Sequence, residues 1–182
     1  MRNVKFISSI VSSVLLTMVV GNSYASEHSI MFGYGQTDLS GVYGNLDGYA
    51  LKYRYEGAGR VGFIVSATLT SKDSESYSYD NDSGVTEVGK TDYDYSSFHI
   101  GPVYRLNDTA SAYATVGYAS YSVEKNSKDS PSSKAEDDSF AVGIGMEFNL
   151  QKHLVIDGGV EYSKHLNDID ALTYAISVGY KF

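Results

Sequence analysis

The sequence predicts an all-β fold, an eight-stranded antiparallel up-and-down transmembrane β-barrel, and three observations favour it. Eight segments of roughly ten residues alternate large apolar side chains with small or polar ones, which is the period-two pattern of β-strands. The connections between them alternate in length, as in a meander with tight turns at one end. Charged side chains fall on the small-residue faces, which are therefore expected to line the barrel interior.

The N-terminal segment has the features of a secretory signal peptide. Arg2 and Lys5 precede an apolar stretch from Phe6 to Val20, and a small-residue site follows at Ala25. We expect cleavage near Ala25, so that residues 1–25 are removed and residues 26–182 form the barrel. An uncleaved anchor helix is the alternative, but the apolar stretch is short for a span of about 20 residues.

The first four predicted strands lie in the first 106 residues and contain the first charged inner face. In the second strand, Lys52, Arg54 and Glu56 alternate with tyrosines and a leucine. In the third strand, Ile64 falls on the otherwise small and polar face and breaks the pattern. The four strands are Ser29–Gln36, Gly48–Glu56, Val61–Ser71 and Ser96–Leu106.

The last four predicted strands include the clearest alternation, which places Phe140 and Leu150 at the two ends of one apolar face. The alternation does not assign the faces of the segment that begins at Ser111. The terminal strand carries Ile176, Val178, Tyr180 and Phe182 on its apolar face. The four strands are Ser111–Val123, Ser139–Leu150, Leu154–His165 and Leu172–Phe182.

The connections predict two different ends of the barrel. Tight turns rich in Gly, Asn and Asp or in polar residues are expected at Gly57–Arg60, Asn107–Ala110 and Gln151–His153. Long polar segments, interpreted as loops, alternate with them at Thr37–Asn45, Ser71–Tyr95 and Glu124–Asp138. Both termini then lie at the short-turn end, where the last strand can pair with the first.

Four basic and four acidic residues occupy the predicted inner faces. A soluble sandwich with these charges in its core would have to desolvate them at several kcal/mol per ion. A soluble lipocalin-like barrel could turn them outward and bury the aromatic faces, but tyrosines near the strand ends are typical of a membrane girdle. We interpret the charges as a self-neutralising network that fills a narrow barrel, rather than as a channel. They are Lys52, Arg54, Glu56, Arg105, Glu147, Asp157, Glu161 and Lys181.

Other chemistry is weakly indicated. The net charge of -8 argues against a nucleic-acid partner, since phosphate binding requires clustered basic residues. Ser163 and His165 share a face near Asp168 and Asp170, which leaves a lipid A-modifying enzyme as an alternative. The four histidines are scattered without metal-ligand spacing. We therefore predict a protein without catalytic residues, metal or cofactor.

Five ordered motifs resemble the Ail/Lom/OmpX family of enterobacterial outer-membrane proteins: Lys52–Glu56, Gly101–Asp108, Tyr113–Gly117, Gly143–Asn149 and Val178–Phe182. The resemblance implies a monomeric, non-enzymatic barrel in the outer membrane of a Gram-negative bacterium, in contact with lipid and lipopolysaccharide. It implies extracellular loops that act in adhesion, invasion or complement resistance, although a purely structural envelope role is a further alternative. It also implies that Ile176, Val178, Tyr180 and Phe182 carry the signal that the outer-membrane assembly machinery reads.

The segment Ser71–Tyr95 departs from the family pattern because it holds many carboxylates and few lysines. This composition disfavours heparin-like or laminin-type ligands. Its tyrosines are candidate contacts for host matrix or complement proteins, since aromatic side chains are favoured at interfaces. Alternatively, they continue the sheet above the membrane. They are Tyr77, Tyr79, Tyr93 and Tyr95.

Overall fold

The computed structural model describes residues 27–40, 44–72, 77–80, 86–126, 133–165 and 169–182. The predicted signal peptide, residues 1–25, lies outside this part of the chain. None of the described residues forms a helix long and apolar enough to cross a membrane. The described strands are β1 (Glu27–Leu39), β2 (Leu46–Glu56), β3 (Val61–Lys72), β4 (Tyr77–Asp80), β5 (Thr86–Arg105), β6 (Ala110–Asn126), β7 (Ser133–Asn149), β8 (Leu154–Lys164) and β9 (Asp170–Lys181).

Eight of these strands close into an antiparallel barrel, which confirms the predicted fold class. Consecutive strands pair around the ring, β3 pairs with β5, and β1 closes the ring against β9. The remaining strand, β4, pairs with the first residues of β5. Ring closure satisfies backbone hydrogen bonds along both sides of each barrel strand, which we also call a stave, as a membrane-spanning sheet requires.

The outward faces carry apolar side chains between two aromatic bands, and Phe140 is 86% exposed. A lipocalin-like soluble barrel would need these apolar faces inside, whereas the structure places them outside. We call the band near the short turns the lower girdle and the other the upper girdle. The lower girdle contains Tyr55, Phe63, Tyr104, Phe148, Tyr180 and Phe182; the upper girdle contains Tyr34, Tyr49, Phe98, Tyr118, Phe140, Tyr162 and Tyr174.

Three neighbouring strands continue beyond the upper girdle. β5 has 20 residues and β6 and β7 have 17 each, against 11 to 13 for the other barrel strands. Their extensions, residues 86–97, 119–126 and 133–139, form what we call the upper sheet. The predicted loops Ser71–Tyr95 and Glu124–Asp138 are therefore largely strand, which corrects the sequence interpretation. Above the lipid both faces of a strand tolerate polar residues, so the apolar alternation fades although pairing continues.

The inward faces form two apolar clusters in addition to polar layers. Met31, Ile64, Val103, Tyr113 and Val155 make a lower cluster, so the irregular Ile64 packs inside the barrel. An upper plug near the mouth contains Leu39, Leu46, Tyr95, Ala119, Tyr121, Ala141 and Ala171. β6 turns Ser111, Tyr113, Thr115, Ala119 and Tyr121 inward, which assigns the faces that the sequence leaves open.

The terminal strand closes the barrel at its lower edge. Ile176, Val178, Tyr180 and Phe182 all point outward, and Phe182 is 58% exposed. The backbone amide of Phe182 donates to the His28 carbonyl at 2.9 Å, and the His28 amide donates back at 3.1 Å. The two rings stack with their centroids 5.6 Å apart. The last residue is thus part of the seam between the first and last staves.

Deleting Phe182 is expected to reduce the amount of folded barrel in the outer-membrane fraction several-fold. The deletion removes two seam hydrogen bonds and one lower-girdle ring, and each net backbone bond contributes about 1 kcal/mol. The heat-modifiable band on unboiled gels measures the folded fraction. Removing Ser130–Ser132, which lie in the sequence between β6 and β7, is the matched control. Equal folded amounts for the two deletions would contradict a special role for the terminal residue.

Candidate functional site

The eight charged residues assigned to the interior by sequence all lie on inward faces of the barrel. Six of them are buried, while Arg105 and Lys181 are partly exposed at the lower rim. Glu27, which the sequence analysis did not single out, joins them as a partner of both rim cations. The charges meet because each lies on the inward-facing side of its strand, and all the inward faces surround the same narrow lumen.

The lowest layer of the interior is a chain of alternating charges. Arg105 contacts Glu27 through Nη2 at 2.6 Å and Glu56 through Nε at 2.5 Å. Arg54 pairs with Glu56 and, through Nη1, with Glu147 at 3.0 Å. Each cation therefore faces two carboxylates, which compensates the cost of removing these charges from water.

The middle layer is built around Lys52, which forms an ion pair with buried Asp157. The Lys52 ammonium also donates to the Tyr113 hydroxyl at 2.7 Å. Tyr113 lies over Gly145 and Gly159 on the next two staves, and a Cβ at either glycine would overlap its hydroxyl. Tyr113 is not among the interior residues predicted from the sequence. The glycines of the neighbouring strands could have indicated it, because they leave room for one large inward ring.

The next layer joins His99 to Glu161. The His99 Nε2 atom lies 3.4 Å from the Glu161 carboxylate, which also accepts from Ser97 at 2.7 Å and from Thr68 at 3.2 Å. Above it, Thr37 bonds to Thr70 and Thr173, each at 2.8 Å. Among the described residues, side chains thus occupy the lumen at successive levels, an arrangement that favours a filled barrel over a conducting one.

A polar relay lies at the upper mouth, inside the upper plug. The Ser163 Oγ is 3.1 Å from His165 Nε2, and His165 Nδ1 is 3.5 Å from an Asp137 carboxylate oxygen. The Tyr95 hydroxyl is 3.2 Å from Ser163 Oγ. We call Tyr95, Ser163, His165 and Asp137 the mouth relay. The sequence pairs Ser163 with His165 but misses Asp137, which is close only through folding.

The mouth relay has the order of a serine, histidine and aspartate triad, but its serine and histidine are buried. Ser163 is 1% and His165 3% exposed, so neither side chain is presented at the surface. Of the two carboxylates suggested by sequence, Asp170 accepts a hydrogen bond from Tyr162, and Asp168 lies outside the described residues. In the described ranges, no group of three or more His, Cys, Asp or Glu side chains could hold a metal ion.

The four tyrosines proposed as loop contacts do not form one surface. Tyr95 is 2% exposed within the upper plug, so it has almost no surface to offer a partner, which corrects that assignment. Tyr93 is partly buried and stacks on Tyr121, with ring centroids 6.5 Å apart. Both point inward because they share the parity of the inner face of β5. Tyr77 and Tyr79 lie in β4, and their side chains are outside the described part of the structure.

The outward surface above the upper girdle is acidic and rich in hydroxyl groups. Register places five outward residues in one line across five strands, which we call the acidic row: Asp47, Ser71, Asp94, Ser122 and Glu136. A groove of about 420 Å³ follows this row and includes Tyr49, Leu69 and Lys134. The hydrogen bond from Tyr34 holds the pKa of the Asp47 carboxyl below its usual value, so this group is ionised at neutral pH.

Comparisons with known proteins agree with the architecture. Residues 11–182 match the family model described as an outer membrane protein beta-barrel domain. The attachment invasion locus protein of Yersinia enterocolitica is 35% identical over 100% of both chains. Outer membrane protein X of Enterobacter cloacae is 32% identical over 93% of this chain and 94% of its own. The crystal structure of Ail from Yersinia pestis, in complex with the heparin analogue sucrose octasulfate, aligns with a TM-score of 0.76 and 31% identity, over 87% of this chain and 100% of that one.

Replacing Asp157 by alanine is expected to destabilise the barrel by about 3–5 kcal/mol, because the buried Lys52 charge loses its carboxylate. The double variant Lys52→Met with Asp157→Leu removes both charges and is expected to recover most of that loss. Urea titration followed by the heat-modifiable band shift gives both values. Asp108→Ala, in an exposed turn, is the control. If the double variant were as unstable as the single one, the pair would not be the source of the effect.

Proposed function

The chain belongs to the Ail/OmpX family of outer-membrane proteins, and we propose that it attaches the cell to a host protein through the outward face of its upper sheet. Its place is the outer membrane of a Gram-negative bacterium, where the apolar band between the girdles contacts lipid. Relatives in the family include proteins named for attachment and invasion. That role is proposed for this chain on the basis of its own surface.

The acidic row is the observation that carries the proposal. Asp94, Ser122 and Glu136 lie on strand extensions beyond the upper girdle, and Asp47 and Ser71 lie beside them at the upper ends of β2 and β3, so the row projects from the lipid rather than into it. Each strand residue advances about 3.3 Å, so extensions of this length reach roughly 20 Å above the girdle when tilted. Paired strands hold the row rigidly, which lowers the entropy cost of binding a partner.

The charge of the row indicates the partner's chemistry. The carboxylates of the row outnumber the groove cation Lys134, which pairs with Glu136, so the row would repel a sulfated polysaccharide, although the related Yersinia pestis protein was crystallised with a heparin analogue. A row of carboxylates favours a basic protein surface, since complementary charge accelerates encounter and suppresses wrong partners. We therefore propose a basic region of a host matrix or complement protein as the partner.

The charged upper edge of β7 supports a monomeric protein. Residues 133–140 pair with β6, whereas pairing with β8 begins only at Ala141. Lys134, Glu136 and Asp138 place charges along this edge. Charged edge residues oppose edge-to-edge association between copies. We propose that the barrel acts as a monomer and leaves the upper sheet available to a host protein.

Reversing the charge of the row tests the proposal. The double variant Asp94→Lys and Glu136→Lys is expected to lower binding of expressing cells to immobilised host matrix or complement proteins by at least about tenfold, since like charges across an interface cost several kcal/mol. Binding of the unmodified protein is expected to weaken as salt rises. Plate adhesion of cells with matched surface levels provides the measurement.

Asp108→Lys is the matched control, because it makes the same exchange in a turn at the opposite end of the barrel. Its binding is expected to equal that of the unmodified protein. Unchanged binding of the double variant would contradict the acidic row as the contact surface. If cells with the unmodified barrel bound no host protein, a structural role in the envelope would replace adhesion.

A further inference from the structure

The mouth relay lies where two neighbouring staves separate. The ladder between β7 and β8 ends at Ala141 and Ser163, and β7 continues upward without β8 beside it. Beyond that point, side chains bridge the gap: His165 faces Asp137, and the Ser139 hydroxyl donates to the Lys164 carbonyl. The upper end of β7 therefore keeps a continuous ladder with β6, while on its β8 side a few polar contacts connect it to the barrel rim.

We propose that the mouth relay is a proton-sensitive latch, which holds the upper end of β7 against the barrel mouth while His165 is neutral and releases it when His165 is protonated. The proposal concerns the base of the upper sheet and does not depend on what that sheet binds. It assigns a role to a histidine that is buried together with Ser163 near the barrel mouth.

The donors and acceptors of the relay match one another when the imidazole is neutral. With the proton of a neutral imidazole on Nδ1, which faces Asp137, Nε2 can accept from the Ser163 hydroxyl, and Ser163 can accept from the Tyr95 hydroxyl. A second proton would occupy Nε2 and turn that nitrogen into a donor. Ser163 would then have to accept from Nε2, so the order of donors and acceptors in that arrangement would reverse.

The surroundings of His165 also disfavour a cation. The ring lies between the Tyr95 and Tyr121 rings, at centroid distances of 6.2 and 6.1 Å, inside an otherwise apolar plug. Such a site gives an imidazolium little access to water, and desolvation favours the neutral form. Asp137 opposes this effect, but it is itself partly exposed, so its attraction is screened.

His165 is the group in the relay that titrates near physiological pH. It lies above the upper girdle, three residues beyond Tyr162, and burial lowers the pKa of its imidazole below the ordinary value although Asp137 and Asp138 raise it. Burial raises the pKa of Tyr121 to about 12 and also raises that of Tyr95, so both phenols stay neutral. These are the titratable groups of the described residues that face the ring from β5, β6 and β7.

Acid pH is expected to open the mouth, because burial lowers the pKa of His165 in the closed state. Opening the mouth exposes His165 and returns its pKa towards the ordinary value of about 6.5, so the open state binds the proton more readily than the closed one. The stability of the closed latch is fully present above that value and decreases as the pH falls below it. Because one proton is involved, the equilibrium constant for opening the mouth can rise by at most about tenfold for each unit that the pH falls.

Hydrogen exchange of the mature barrel in lipid nanodiscs, measured from pH 7.5 to 5.0 and corrected for intrinsic rates, tests the latch. Amides of residues 163–165, where the ladder between β7 and β8 ends, are expected to lose several-fold protection at acid pH, while those of 133–140, paired with β6, and those of 174–180 in β9 remain unchanged. His165→Gln, a neutral hydrogen-bonding replacement, is expected to abolish the pH response. Asp137→Asn is expected to enlarge the loss of protection at pH 5.0, because without the carboxylate the closed state binds the proton still less readily than the open one.

His153→Gln changes an exposed histidine in a short turn at the opposite end and is expected to keep the full pH response. A pH response that persists in His165→Gln, or protection that increases at acid pH, would overturn the latch. A wild-type NMR titration stays decisive if His165→Gln does not fold: a His165 pKa below about 6.5 supports the proposal, and a higher one refutes it.

Discussion

Closure of the sheet between β1 and β9 is the constraint on which the rest of the structure depends. In lipid a stave has no water to hydrogen-bond its backbone, so a membrane-spanning sheet must join its own two edges. The register from Ser29 with Lys181 to Leu39 with Ala171 achieves this. Closure also divides the side chains of all barrel strands between a lipid face, which is apolar, and a luminal face, which is largely polar and charged.

Inside the ring, charge must balance locally because the lumen is too narrow to hydrate it. The cations at Lys52, Arg54 and Arg105 each meet at least one carboxylate, and the arrangement continues from the lower rim to the middle of the barrel. Apolar clusters lie among and above these pairs rather than replacing them. A lumen of paired charges with an apolar plug near its mouth is consistent with a barrel whose staves serve to present a surface.

Above the upper girdle, the rules change because water is present on both faces of the staves. Here the upper sheet keeps its pairing but loses the apolar alternation, and carboxylates such as Asp94 and Glu136 occupy the side that faces lipid lower down. The proposed adhesive row and the proposed mouth latch both lie in this zone. One side of the extended β7 carries the row, while the opposite side carries Asp137 towards the barrel mouth.

The sequence by itself determined the ring, its termini, the lipid and luminal faces of most staves, and the family, because these follow from local alternation and ordered motifs. Only the tertiary structure decided which residues meet across the lumen. Tyr113 reaches Lys52 from a strand 61 positions away, and Asp137 faces His165 across a gap between staves. The alternation along a strand predicts that a side chain points inward, but the residue that it contacts across the lumen depends on strand register and tilt around the closed ring. The same limit explains the upper sheet: polar residues on both faces look like a loop until pairing with neighbouring strands shows a continued stave.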